Sequence, residues 1–146
     1  MKVSTRGDYA ARALLSMALH GGEAPTSVKD IAERTGLPQP YLEQILLAVK
    51  GAGLVRSKRG VGGGYVLARP PDEITIADIV SAVDGPIVTE IDERDHHEGH
   101  CVLQDVWTEL SDTMRAVLQG YTLADLCKRA RDGHDMSVHT GPLAQP

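Results

Sequence analysis

The sequence lacks the features of an exported or membrane-inserted protein. No apolar run among its 146 residues approaches the ~20 residues that a membrane-spanning helix requires. The opening residues, MKVSTRGDYA, have no basic segment, apolar stretch or small-residue cleavage site of a secretory signal. We therefore expect a cytoplasmic protein with no membrane partner. A chain of this length builds one core with at most a small appended element, which excludes most large enzyme folds.

Cysteine and positive charge are also scarce. The two cysteines, Cys101 and Cys127, are expected to be free thiols in a reducing compartment. A net charge of −5 argues against nucleic-acid binding by the whole surface. The charges are segregated, however: Lys50 to Arg69 contain five basic and no acidic residues, whereas Asp84 to Glu98 contain six acids and one arginine. One surface could therefore face phosphate, and another could not.

The first third of the chain has the pattern of a helix-turn-helix. Apolar residues recur at helical spacing over about residues 6–20, and Ser27 can cap a second helix that ends at Thr35-Gly36. After the turn, Pro40 suits the start of a third helix, because its missing N–H would have no partner there. The order helix, glycine-containing turn, helix is typical of proteins whose second paired helix enters the major groove of DNA.

A basic hairpin follows these helices. Residues 54–59 and 65–68 are strand-like runs around a glycine-rich loop, Gly60 to Gly64. A hairpin in this position is the wing of a winged helix-turn-helix, although by itself it could be a flexible loop with solvated charges. We therefore predict a mainly α fold with a small β wing, in which residues 1–84 form a DNA-binding domain.

The third helix and the hairpin carry side chains that suit DNA recognition. Gln44 can bond bidentately to adenine, and Glu43 can accept a hydrogen bond from cytosine N4. Arg59, at the tip of the wing, can enter a narrow minor groove. The other predicted DNA-contacting residues are Pro40, Tyr41, Lys50, Arg56, Ser57, Lys58, Gly62 and Gly63.

The second half of the chain predicts a loop and a long helix. Thr75 can cap a short helix, residues 85–100 form a polar loop, and a long helix is expected from about Leu103. Its apolar residues are three and four positions apart, as in a coiled-coil seam. These predicted dimerisation residues are Trp107, Leu110, Met114, Val117 and Tyr121.

The predicted organisation ends with a terminal helix and a tail. Residues 101–131 would contain the long dimerisation helix and a last helix capped by Thr122. The alternative for the apolar seam is packing within one chain. Residues 132–146 have few large apolar side chains, so we expect a disordered tail.

Three segments are more specific than a generic helix-turn-helix: MKVSTRGDYAARALL, YLEQIL and RGVGGGYVLARPPDEIT, with a weaker one at YTLADL. In these segments the chain resembles, over residues 1 to about 128, the Rrf2 family of bacterial regulators, which includes IscR, NsrR and CymR. The resemblance implies a homodimer formed through the long helix after Cys101. It also implies a repressor that binds a pseudo-palindromic operator through Tyr41, Glu43, Gln44 and the Arg59 wing.

The resemblance also concerns the loop before the long helix. Many members hold an iron-sulfur cluster with three cysteines there, of which Cys101 matches the last, and no other cysteine lies in this loop. The loop offers other groups that ligate zinc or complete a mixed iron-sulfur site, namely His96, His97, Glu98 and His100. By resemblance, Asp8 is a further candidate ligand. The alternatives are a solvated loop and a redox-active thiol at Cys101.

Two other functions are compatible with the histidine-rich loop. A small metal-dependent hydrolase would use paired histidines, but His97 and His100 are three residues apart rather than in the i, i+4 spacing of HExxH. A sensor of iron-sulfur, redox or sulfur-metabolism status could also act through a protein partner, which would supplement DNA binding. We therefore expect a DNA-binding regulator rather than an enzyme.

Overall fold

Six α-helices and one two-stranded antiparallel sheet form the described part of the chain, residues 3–21, 23–88, 92 and 94–133 of a computed structural model. The elements are α1 (Thr5–His20), α2 (Val28–Thr35), α3 (Gln39–Gly51), β1 (Val55–Lys58), β2 (Gly64–Leu67), α4 (Ile76–Asp84), α5 (His100–Gln119) and α6 (Leu123–Asp132). A 3₁₀ turn, Pro71–Glu73, precedes α4. The predicted mainly α fold with a β wing is confirmed, and the predicted disordered tail lies, from residue 134 onward, outside the described residues.

The helix starts follow from local capping chemistry. The Ser4 hydroxyl accepts a hydrogen bond from the Gly7 amide at 2.8 Å, and the Ser27 hydroxyl accepts one from the Asp30 amide at 3.1 Å. Each bond satisfies an amide that has no partner inside its helix. Gly36 ends α2 with φ 72°, a left-handed conformation that glycine adopts without steric penalty.

The core lies where α1 and α3 pack on each other and on α2 and α4. Helices α1 and α3 each bury one stripe at three- and four-residue spacing, which removes their apolar faces from water. The buried residues of these stripes are Ala10, Ala13, Leu14 and Met17 of α1, and Leu42, Ile45, Leu46 and Val49 of α3. The packing therefore fixes which side of α3 faces solvent.

The wing is attached to the body of the domain through Thr26. In the hairpin Arg56 pairs with Val66 and Ser57 with Tyr65. Thr26 and Tyr65 exchange both backbone hydrogen bonds, each 2.8 Å long. The hairpin is thereby held against the segment that leads into α2.

The terminal helix α6 packs on the DNA-binding domain rather than on α5. Thr75 and Thr122 form an isolated β-bridge, in which the Ile76 amide donates to the Tyr121 carbonyl and the Leu123 amide to the Ile74 carbonyl, both at 2.9 Å. Leu123 is fully buried in the core. The predicted division, which groups α6 with the long helix in residues 101–131, stays a prediction.

The long helix α5 begins three residues before the predicted Leu103, so His100 lies in its first turn rather than in the loop. It ends at Gln119, and Tyr121 therefore lies beyond the helix that was expected to carry it. The Arg115 guanidinium donates to the carbonyl of Ile87 at 2.6 Å and holds the start of the loop against α5. None of the described helices is long and apolar enough to cross a membrane.

Candidate DNA-binding surface

The outer face of α3 presents the side chains predicted to read DNA. Pro40, Glu43, Gln44 and Lys50 are all exposed, whereas the opposite face of the helix is buried in the core. Pro40 is the second residue of the helix, one position later than predicted. The arrangement leaves amide, carboxylate and ammonium groups free to meet base edges or phosphates.

Tyr41 lies at the border between this face and the core. Its ring is half-buried and makes an edge-to-face contact with Tyr9, with ring centroids 5.6 Å apart and an interplanar angle of 86°. The Arg12 guanidinium lies 5.9 Å from the centroid of the Tyr9 ring. The contact with Tyr9 places Tyr41 on the side of α3 that faces α1.

The wing exposes its cationic groups. Arg56, Ser57 and Lys58 on β1 and Arg59 at the turn are all exposed. Gly62 has φ 75°, which fits the tight turn of the loop. Because the Gly63 amide donates to the Gly60 carbonyl at 2.9 Å, it is already used within the turn. The predicted DNA contact of Gly63 stays a prediction.

The positive charges of this surface are uncompensated. Among the described residues, Lys50, Arg56, Lys58 and Arg59 form no ion pair, whereas Arg69 of the same basic run lies 3.8 Å from Asp78. Free cations on an exposed face attract a polyanion and release its counterions on binding. Helix α3 is joined to this cationic hairpin through Leu54, whose amide donates to the Val49 carbonyl at 3.0 Å.

The loop before α5 contains a carboxylate between two imidazoles. Asp95 lies 2.7 Å from His97 Nδ1 and 3.6 Å from His100 Nδ1. The pKa of Asp95 is lowered, mainly because its carboxylate accepts a hydrogen bond from the backbone amide of His97. His97 is exposed, whereas the His100 side chain is only 12% exposed. The two histidines are therefore oriented toward Asp95.

The residues proposed as metal ligands are not brought together. Cys101 is exposed in the first turn of α5, and His96 is exposed in the loop. Asp8 forms an ion pair with Arg12 of its own helix at 3.0 Å. In the described ranges no three histidine, cysteine, aspartate or glutamate residues are placed to hold a metal ion. Within one chain, the described residues therefore supply no assembled metal site.

The outer face of α5 carries large apolar side chains that the described residues leave exposed. Trp107, Leu110 and Val117 of the predicted seam are 41%, 36% and 53% exposed, and Met114 is half-buried. Tyr121 instead packs under Arg129, whose guanidinium lies 4.9 Å from its ring centroid. Four of the five predicted dimerisation residues thus lie on this helix, and the fifth does not.

Four of the exposed apolar residues were not among the predicted site residues. Leu47 of α3 and Val102, Leu103 and Val106 of α5 are each at least half-exposed. The signal for Leu47 is that it is the one large aliphatic residue of α3 outside the buried stripe. Val102 precedes the predicted start of this helix at about Leu103, whereas Leu103 and Val106 lie within the predicted helix and were not assigned to its seam.

Comparison with known proteins identifies similar chains over most of this length. Residues 3–129 match the Rrf2 family of iron-dependent transcriptional regulators. The HTH-type transcriptional regulator IscR of Aliivibrio salmonicida is 40% identical over 129 residues, which are 86% of this chain and 77% of the relative. These proteins are transcription regulators rather than enzymes.

Solved structures agree with the sequence relatives. CymR, the global cysteine regulator of B. subtilis, superposes with a TM-score of 0.77 at 38% identity and covers 88% of this chain and 98% of its own. IscR of T. potens superposes with a TM-score of 0.74 at 42% identity and covers 89% and 88%. The winged-helix fold is thus shared over nearly the whole of α1 to α6.

Proposed function

The chain belongs to the Rrf2 family of DNA-binding transcription regulators, and we propose that it binds a pseudo-palindromic operator as a homodimer and acts as a repressor. The observation that carries this proposal is the exposed polar face of α3 beside a wing whose cations are unpaired within the described residues. Occupancy of an operator that overlaps a promoter excludes the polymerase, so binding alone suffices for repression.

In the proposed complex α3 lies in the major groove. Gln44 bonds to an adenine and Glu43 accepts from a cytosine amino group. Arg59 enters the adjacent minor groove, and Arg56 and Lys58 contact phosphates. Tyr41 supports a phosphate contact from the edge of α3. Base contacts then give specificity, while the wing supplies most of the salt-dependent affinity.

Dimerisation is proposed to occur through α5. Ser111 is its only buried residue among the described side chains, yet six of its large apolar side chains are 36% to 67% exposed. A contiguous apolar face of this kind marks an interaction site. Pairing two copies through it would create a two-fold axis, and a symmetric dimer reads two related half-sites.

The proposed function is tested with DNA selected from a random duplex library. We expect wild-type protein to enrich a sequence with two-fold symmetry. Gln44→Ala should relax the preference at one position per half-site by about 1–3 kcal/mol, and Arg59→Ala should weaken binding to all sequences. The exposed Arg94→Ala, outside the proposed surface, is the control. Wild-type affinity in both variants would contradict the assignment.

The signal is proposed to act on the loop before α5 and on the exposed Cys101 thiol, with a protein effector as the alternative. Two observations support a thiol: Cys101 is accessible at the start of the proposed dimer helix, while burial raises the pKa of the Cys127 thiol. On mild oxidation, the operator affinity of the wild-type protein should change, and that of Cys101→Ser should not. Equal affinity in both redox states, with metal-free protein, would point to the protein effector.

A further inference from the structure

The outward face of the recognition helix carries one large apolar side chain. Leu47 is 61% exposed, whereas Leu42, Ile45, Leu46 and Val49 of the same helix are each at most 1% exposed. Leu47 is therefore not one of the core residues of α3. Its exposure is therefore a property of the surface rather than a packing defect of α3.

Leu47 lies near the middle of this face. A helix turns about 100° per residue, so Leu47 is about 60° around the axis from Gln44 and about 20° from Pro40. Glu43 and Lys50, both exposed, flank it on one side. It lies about 4.5 Å along the axis beyond Gln44, which is a little more than one base-pair step of about 3.4 Å. Because the two side chains lie less than one helical turn apart on the same exposed face, a groove that receives Gln44 brings base edges close to Leu47.

The major groove offers one apolar group to such a side chain, the C5 methyl group of thymine. Leucine can neither donate nor accept a hydrogen bond, so against any other base edge it would desolvate polar groups without replacing their bonds. We propose that Leu47 is a specificity-determining residue that selects thymine in each half-site, next to the base read by Gln44. This inference rests on the proposed DNA-binding function.

An isolated exposed leucine is common on protein surfaces and needs no function. Two features favour a role in recognition here. Its exposed neighbours one turn away, Glu43 and Lys50, are charged, so Leu47 does not belong to a larger apolar patch. It is also on a different element from the apolar face of α5 that we assign to dimerisation. The partner that fits it is the methyl group in the groove that its neighbours already face.

The test removes single methyl groups from the DNA. In the operator obtained by selection, each thymine is replaced in turn by deoxyuridine, which lacks only the C5 methyl group. For wild-type protein we expect one replacement per half-site to weaken binding roughly three- to fourfold, the effect of one apolar carbon. Leu47→Ser should bind deoxyuridine and thymine at that position equally.

A matched control lies on the wing. Val61 is fully exposed at the wing tip, where the minor groove presents no thymine methyl group, so Val61→Ser should keep the wild-type sensitivity to deoxyuridine. Melting curves confirm that both variants are folded. The inference is overturned if wild-type protein is insensitive at every position or if Leu47→Ser retains the sensitivity. If wild-type protein selects no sequence at all, the proposed function fails, and this inference fails with it.

Discussion

At the scale of the residue, Gly64 of β2 is a position where the wing lies very close to Thr26. A Cβ atom placed on it would lie 2.3 Å from the carbonyl oxygen of Thr26, and its φ of 157° is one that other residues rarely adopt. Both the contact and the backbone conformation thus require glycine. Strand β2 can pair with Thr26 through Tyr65 only because Gly64 places no side chain between them.

We therefore expect Gly64→Ala to destabilise the protein by about 1–3 kcal/mol, the usual effect of forcing atoms into a packed site. Gly51→Ala is the matched control, since a Cβ there meets no atom within 4 Å and the residue is helical. The free energy of unfolding in urea measures both. Equal stability of Gly64→Ala and wild type would mean that the wing is not held by Thr26.

Single residues also show what the sequence could reveal about the site. The exposure of Gln44 and Glu43 was predictable because helical spacing decides which residues oppose a buried stripe, and that of Arg59 because it begins the glycine-rich turn of a predicted hairpin. The hydrogen bond from the Gly63 amide to the Gly60 carbonyl was not predictable, because it depends on the path of the whole turn. The ion pair between Arg69 and Asp78 joins a residue that follows β2 to a residue of α4, so Arg69 is not a free cation.

At the scale of the element, α6 depends on the capping box at its start. Thr122 accepts a hydrogen bond from the Asp125 amide at 3.1 Å, and Asp125 accepts one from the Thr122 amide at 2.9 Å. The backbone and side-chain hydrogen bonds from Thr122 lower the pKa of Asp125. The carboxylate form is therefore the one that the folded protein favours.

This capping box predicts an acid-sensitive contribution to stability. Because the pKa of Asp125 is lower in the folded than in the unfolded state, the contribution is present above the ordinary pKa of about 3.9 and is lost as the pH falls through the lowered value. Asp125→Asn should make the fall in melting temperature below about pH 5 shallower than in wild type. Asp105→Asn, an exposed carboxylate on α5, should not change the slope, and equal slopes in all three proteins would contradict the prediction.

The apolar face of α5 gives a second prediction at this scale. Leu103→Glu places a charge on a side chain that is 50% exposed in one chain, so it should leave the fold intact but prevent pairing of two copies. We expect a monomer by analytical ultracentrifugation with an unchanged helical circular-dichroism spectrum. Thr108→Glu, on the same helix and exposed, should remain dimeric. A Leu103→Glu dimer would show that α5 is not the interface.

The helix boundaries show why some elements were predicted better than others. Thr75 and Thr122 cap their helices with side chains three residues from a matching aspartate, a local signal that sequence alone reveals. The start of α5 has no such signal, because its N-cap is Gly99 without a side-chain bond. The placement of α6 on the core depends on a backbone bridge to a residue 47 positions earlier, and no local pattern encodes that contact.

At the scale of the whole molecule, the segregated charges determine which side faces DNA. The acidic part of the loop includes Asp92, which is exposed and paired with Arg94 at 3.3 Å. We expect Asp92→Lys to leave operator affinity nearly unchanged, whereas Arg59→Glu should weaken it strongly and reduce the slope of affinity against salt concentration. Fluorescence anisotropy over a range of salt concentrations measures both. A large effect of Asp92→Lys would place the loop at the DNA.

The bridge between Thr75 and Thr122 has a consequence for how such a regulator can change over generations. The chain leaves the DNA-binding domain after α4 and returns to it before α6, and the two points of attachment are neighbours because backbone hydrogen bonds join the segments before these helices. The C-terminal end of α5 is therefore held by this bridge, and Arg115 also ties it to Ile87 at the start of the loop. We therefore expect insertions between residues 88 and 99 to leave the geometry between the exposed face of α3 and the proposed dimer helix α5 unchanged over generations.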